Sequence, residues 1–133
     1  VPQYLSDAPV YRDTRDPLTR LFVESAQHAP RGPIFIDAQP GGQFSPDAPV
    51  DRLTAAVALV RAAGLQEEAE SSAGTLLNLW DLSSVAPALR GYAQVAVSRG
   101  LLAADGTSFR PQARLTRAEL AHAMTTLARI ATE

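Results

Sequence analysis

The chain has 133 residues, a formal charge of −2 from 12 basic and 14 acidic residues, and no cysteine. That length holds one modest domain or two small ones. The balanced charge argues against a nucleic-acid footprint, and the lack of thiols excludes disulfides, thiolate metal sites and cysteine catalysis.

Every basic residue is arginine. This reads first as a compositional bias that goes with the abundant alanine, and second as selection for a planar fork that grips carboxylates and phosphates better than lysine does. No apolar run approaches the ~20 residues of a spanning helix, so no membrane insertion is expected. The chain begins with Val1 rather than an initiator methionine, so the lack of an export signal does not argue for the cytoplasm.

Residues 1–17 are proline-bearing and aperiodic, an extended lead-in. Asp16 can cap a helix that opens with Pro17, since proline at the first helical position loses no hydrogen bond. Leu18, Leu21, Phe22, Ser25 and Ala26 then share a face, and the helix should end before Pro30. Prolines and glycines crowd residues 30–49. There Ile34-Phe35-Ile36 reads as a short extended segment, Gly41-Gly42 as a turn, and Phe44 as a core anchor.

Asp51 is the expected cap of the next helix, whose apolar stripe is Leu53, Ala56, Val57, Val60 and Ala63 and whose terminator is Gly64. Residues 65–78 are acidic and small and read as a linker whose first turns can continue as helix. Ser83 or Ser84 can start a further helix with Leu89, Tyr92, Ala93, Ala96 and Val97 on one face and Gly100 as its left-handed stop. A turn at Asp105-Gly106 leads to Phe109-Arg110-Pro111. The last helix opens with a capping box formed by Thr116 and Glu119, and its expected stripe is Leu120, Met124, Leu127 and Ala131.

One pattern organises these elements. Phe44-Ser45-Pro46 followed by Val50-Asp51-Arg52 returns as Phe109-Arg110-Pro111 followed by Leu115-Thr116-Arg117, each position 65 residues from its partner. A repeated phrase implies similar stacked units rather than an enzyme built around one cleft. The expected fold is all-α, two helical hairpins in tandem with long Pro/Gly loops and at most short strands. The expected units are 1–64 and 79–133, joined by the linker 65–78.

Chemistry-bearing constellations are sparse. The two histidines, His28 and His122, form no ligand pair and read as non-catalytic. There is no Gly-X-Ser-X-Gly elbow, no phosphate-binding glycine loop and no calcium loop among Asp37, Asp47 and Asp51. Neither enzymatic activity, nor a metal, nor a cofactor is expected. Arg117, at a helix start beside a rigid proline loop, can present its fork to an anion, or it can pair locally. Arg52 holds the matching place in the first unit. Phe44 and Phe109 read as core anchors. Trp80 reads as buried among neighbouring leucines, with stacking on a sugar ring as the alternative.

Residues 79–131 resemble an S-layer homology module. Asp81-Leu82, Tyr92-Ala93, Ala96-Val97 and Gly100-Leu101-Leu102 look like its first half. Asp105-Gly106, Phe109-Arg110-Pro111 and the Leu115–Ala121 segment around Thr116-Arg117-Ala118-Glu119 look like its second. The stretch from Ser6-Asp7 through Phe44-Ser45-Pro46 and Val50-Asp51-Arg52 to Gly64 looks like a diverged copy.

The resemblance implies a helical module that attaches exported proteins to the bacterial cell wall through an acidic secondary cell wall polysaccharide. Such modules are commonly appended to surface proteins or secreted subtilisin-like proteases. It implies Arg117 as the glycan-contacting residue, with Arg52 as its weaker counterpart. It makes Phe44, Pro46, Asp51, Asp105, Gly106, Phe109, Pro111, Thr116 and Glu119 the structural motif. The expected location is extracellular, on a bacterial surface or secreted. The alternative is a protein-interaction or dimerisation appendage whose partner is a parent protein or a second copy.

Overall fold

The computed structural model describes residues 2–71 and 79–132. Among them are five α-helices: α1 Pro17–Gln27, α2 Arg52–Ala62, α3 Gln66–Ser71, α4 Pro87–Ser98 and α5 Arg117–Ala131, with a 3-10 turn at Trp80–Ser84 between α3 and α4. No sheet forms among the described residues, only isolated bridges between Asp51 and Arg114 and between Asp105 and Ser108. The chain is all-α, as expected.

The helix boundaries follow their caps. Asp16 accepts from the Thr19 amide and Asp51 from the Thr54 amide, and Thr116 and Glu119 close a reciprocal capping box. Gly64 and Gly100 take the left-handed conformation at φ 75° and 76°, which ends α2 and α4. The α4 start differs from expectation. Ser83 and Ser84 lie in the 3-10 turn, and α4 opens at Pro87 behind Ala86, with no side-chain cap. Pro87 supplies the helical φ that the cap would otherwise favour.

The chain divides into two compact units, Val1–Ala48 and Pro49–Glu133. The division falls ahead of α2 rather than at the expected boundary after residue 64. The expected linker 65–78 is helical over α3, and its remainder, 72–78, lies outside the described residues.

In the first unit, α1 carries the segment Tyr4–Val10 on its inner side. The Glu24 carboxylate accepts from the Ser6 amide at 2.9 Å, the Ser6 hydroxyl at 2.6 Å and the Val10 amide at 3.2 Å. The Ser25 hydroxyl accepts from the Tyr4 amide at 2.8 Å. This polar face is what the unit buries, together with Val23. Leu18 and Phe22, expected inside, are each 60% exposed. A small apolar cluster of Tyr11, Val23 and Ala38 is flanked by Val10 and Phe44, and Phe44 meets Tyr11 and Phe35 edge-on.

The second unit holds the larger core. Ala56, Val57 and Val60 of α2 join Ala69 of α3, Tyr92, Ala93, Val95 and Ala96 of α4, and Leu101, Leu102 and Phe109 from the loops. Helix α2 packs on α4, and α3 packs on α4 as well. Burial of a large apolar side chain is worth about 1.5–3 kcal/mol, and Phe109 is wholly buried. Helix α5 is rotated relative to the expected stripe. It buries Ala123 and Thr126 and packs Leu127, as expected, against the core, but leaves Leu120 and Met124 exposed. The His122 ring nitrogen meets the Gly100 carbonyl at 2.8 Å. The glycine that follows α4 therefore lies beside α5, near His122 and Thr126.

Candidate functional site

The Phe-X-Pro loops share one local geometry. In the first unit the Asp13 carboxylate accepts from the Phe44 and Ser45 amides, at 2.8 and 2.7 Å. In the second, Asp81 accepts from the Phe109 and Arg110 amides at 2.9 and 2.7 Å, and from the Ser108 hydroxyl at 2.9 Å. The middle residue of each tripeptide has positive φ, 60° at Ser45 and 57° at Arg110, which costs an L-residue roughly 1–2 kcal/mol. The carboxylate clamp holds each strained turn. These amide bonds lower the Asp13 pKa. For Asp81, burial pushes the pKa up but the hydrogen bonds outweigh it, so the net shift is downward. No local period marks either aspartate as a clamp, and in the first unit the part that Asp81 plays falls to Asp13.

The clamp in the second unit builds one side of a groove of about 360 Å³. It is lined by Trp80, Asp81, Ser83, Ser84, Arg110 and the chain from Pro111 to Ala113. The 3-10 turn presents Trp80 outward, 72% exposed, while the Trp80 amide donates to the Thr107 carbonyl at 3.1 Å. The expected burial of Trp80 is thus corrected. The turn aims its indole at solvent and puts Leu82 in the core instead. Arg90 braces the same turn by donating to the Val85 and Ser83 carbonyls at 2.9 and 3.2 Å. Arg110, Ser83, Ser84 and Gln112 are exposed at the groove. The tight turn Asp105–Ser108, with Gly106 at φ 60°, feeds Phe109 into the clamp.

Arg52 is not a ligand-facing residue. Its side chain is wholly buried. Nε donates to the Phe109 carbonyl at 2.8 Å, and the terminal nitrogens donate to Glu119 and to the Ala103 carbonyl. The guanidinium lies 5.0 Å from the Phe109 ring centroid, a cation–π contact. Burial lowers its pKa, as does the nearby Arg110 charge, against an opposing pull from Asp81. The expectation that Arg52 contacts glycan fails because every face of the guanidinium is occupied by the protein. Arg117 is different: it is exposed in the first turn of α5. Glu119 serves the capping box and the Arg52 pair together. Among the described residues no cluster of acidic or imidazole side chains could hold a metal.

Residues 81–121 match the S-layer homology domain family. Comparison with curated proteins gives no match, and comparison with solved structures gives none. The S-layer homology stretch contains the Asp81 clamp, the Asp105-Gly106 turn, Phe109, Arg110 and the capping box of α5. Trp80 stands one residue ahead of it, and Arg52 lies outside it. Sequence reasoning named Arg110 and Asp81 as parts of the S-layer homology pattern but not as groove residues. The available signal was their place in the S-layer homology pattern, since the bonds that join them span nearly thirty residues of chain.

Proposed function

We propose that the chain is a non-catalytic attachment module of a bacterial cell surface, made of two diverged S-layer homology units, and that the Trp80 groove takes an acidic secondary cell wall polysaccharide. The observation that carries this is that the exposed Trp80 and the exposed Arg110 line one groove, at the edge of the S-layer homology match. The indole face offers an apolar platform for a sugar ring. Arg110 offers a fork to an acidic substituent, and the Ser83 and Ser84 hydroxyls and the Gln112 amide offer hydrogen bonds to ring hydroxyls. Arg117 extends the basic character at the start of α5. The module acts outside the cell, and none of the helices among the described residues is long and apolar enough to cross a membrane.

A second reading is a protein-interaction or dimerisation appendage of a larger secreted protein, such as a subtilisin-like protease. The exposed pairs Leu18/Phe22 on α1 and Leu120/Met124 on α5 favour it.

Sedimentation of the chain with purified bacterial cell walls decides between the two. Glycan attachment predicts co-sedimentation that weakens with salt, as an exposed charge contact should. It also predicts a loss of about tenfold or more in Trp80→Ala or Arg110→Ala, the scale of an anchoring aromatic or arginine. Arg117→Ala should weaken binding less. Absence of wall binding, with a concentration-dependent dimer in ultracentrifugation, would decide for protein packing.

A further inference from the structure

The first unit carries a cavity that the attachment reading does not use. It holds about 510 Å³ and is walled by Tyr4, Tyr11, His28, Pro33, Ile36 and Pro40. That volume lies in the range of small-molecule sites, which are mostly apolar with a few fixed polar groups. We propose that this cavity binds a neutral small molecule with an aromatic or fused-ring body.

The chemistry of the lining selects that class. The polar groups at its inner wall are already consumed by the fold. Glu24 accepts from Ser6 and Val10 and pairs with Arg20 at 2.9 Å, so its charge is neutralised. The Gln27 amide donates to the Tyr11 hydroxyl at 3.0 Å and to the Phe35 carbonyl at 2.7 Å, and its oxygen accepts from the Phe35 amide at 2.8 Å. The polar groups that remain in the lining, the Tyr4 hydroxyl, His28 and Gln39, are too few to match the many hydroxyls of a sugar, and the lining has no arginine or lysine to receive an anion. The outer wall is a pair of rings. Tyr4 and His28 stack face to face, with centroids 3.7 Å apart and planes within 5°. They give a flat, polarisable surface for a third ring.

The frame is fixed as well. Tyr4 is tied to Ser25 through both its amide and its carbonyl. The loop carrying Pro33 and Ile36 is tied through Gln27, and the Gly41 amide donates to the Val10 carbonyl at 2.8 Å. The wall is therefore built before a ligand arrives, which lowers the ordering cost of binding. This site is separate in residues and in chemistry from the Trp80 groove.

The test uses N-phenyl-naphthylamine, a neutral aromatic fluorophore, titrated with the full chain. The expected result is saturable binding with one site per chain. Tyr4→Ala and His28→Ala should each weaken it by at least about tenfold, the size of a lost stacking contact together with its burial. Ala38→Phe, which places a ring in the cavity, should abolish it. Trp80→Ala and the surface pair Leu18→Ser/Phe22→Ser should leave it unchanged, and soluble cell wall polysaccharide should not compete. Circular dichroism of each variant checks that the fold persists, and Tyr4→Phe, which keeps the ring, should bind as the native chain does. Non-saturable binding would overturn the proposal. So would binding lost with Leu18→Ser/Phe22→Ser rather than with His28→Ala, or displacement by the polysaccharide.

Discussion

Arg52 shows how far one side chain can be from the role its position suggests. A buried guanidinium is tolerable only when its charge is paired and its donors are used, and here Glu119, two carbonyls and the Phe109 ring do both. Removing it leaves two carbonyls without their donor and the Glu119 carboxylate, held only by the Thr116 amide, without its counter-charge. Arg52→Ala should therefore lose about 3–5 kcal/mol of stability, the cost of breaking a buried pair. Arg52→Lys should recover only part, since an ammonium cannot reproduce the fork. Denaturant midpoints measure both. Glu24 makes the complementary statement in the first unit. Burial opposes its charge, but bonds from Ser6, Arg20 and Val10 prevail and hold its pKa down from 4.5 to about 2. Because the folded value lies below the unfolded one, the unfolded chain binds the extra proton. The stability from Glu24 is thus complete above about pH 4.5 and is lost as pH falls toward 2, on the order of 3 kcal/mol in all. Urea unfolding at stepped pH should show the native chain weakening across this window and Glu24→Gln, already weaker, weakening less.

The helices were legible where a cap and its partner sit three residues apart, as at Asp16, Asp51 and Thr116. That interaction is written in one turn of sequence. The clamped turns were legible only as a repeated phrase. Their carboxylates stand about thirty residues upstream, and no local period marks them. The faces of α1 and α5 escape sequence reasoning for a related reason. Hydrophobic spacing assumes that the bulkiest stripe turns inward. Here α1 buries a polar face because a loop must be hydrogen-bonded, and α5 buries Ala123 and Thr126 rather than its bulkiest residues. The turn at Arg110 carries a prediction of its own. Its positive φ is relaxed by glycine, though glycine also costs unfolded-chain entropy. Arg110→Gly should raise stability by up to about 1 kcal/mol while lowering wall binding as much as Arg110→Ala does. Thermal unfolding and wall sedimentation of the same variant would show the opposite signs.

At the level of the whole chain, the fold class was legible and the unit boundary was not. The glycine after α2 and the acidic run beyond it have the composition of a border, yet α2 belongs to the C-terminal unit. Its first amides donate to the Ala113 and Pro111 carbonyls at 2.8 and 2.9 Å, the Leu115 amide donates to the Val50 carbonyl at 2.9 Å, and its apolar side enters the second core. These pairings join residues more than fifty apart, beyond the reach of composition or spacing. A fragment of residues 49–133 should accordingly fold with a cooperative thermal transition. A fragment of 79–133, which keeps the whole of the S-layer homology match but lacks α2, should show a broad transition or none. Calorimetry of the two fragments tests this directly.

The outward indole of the 3-10 turn has a practical side. Trp80 is the sole tryptophan of the chain, and it already stands largely in water when the protein is folded. Its emission will report little about denaturation, since the ring meets much the same solvent before and after. A sugar laid across it would instead change the colour and brightness of that emission and shield it from acrylamide quenching. The chain thus carries its own optical gauge of groove occupancy, needing no label.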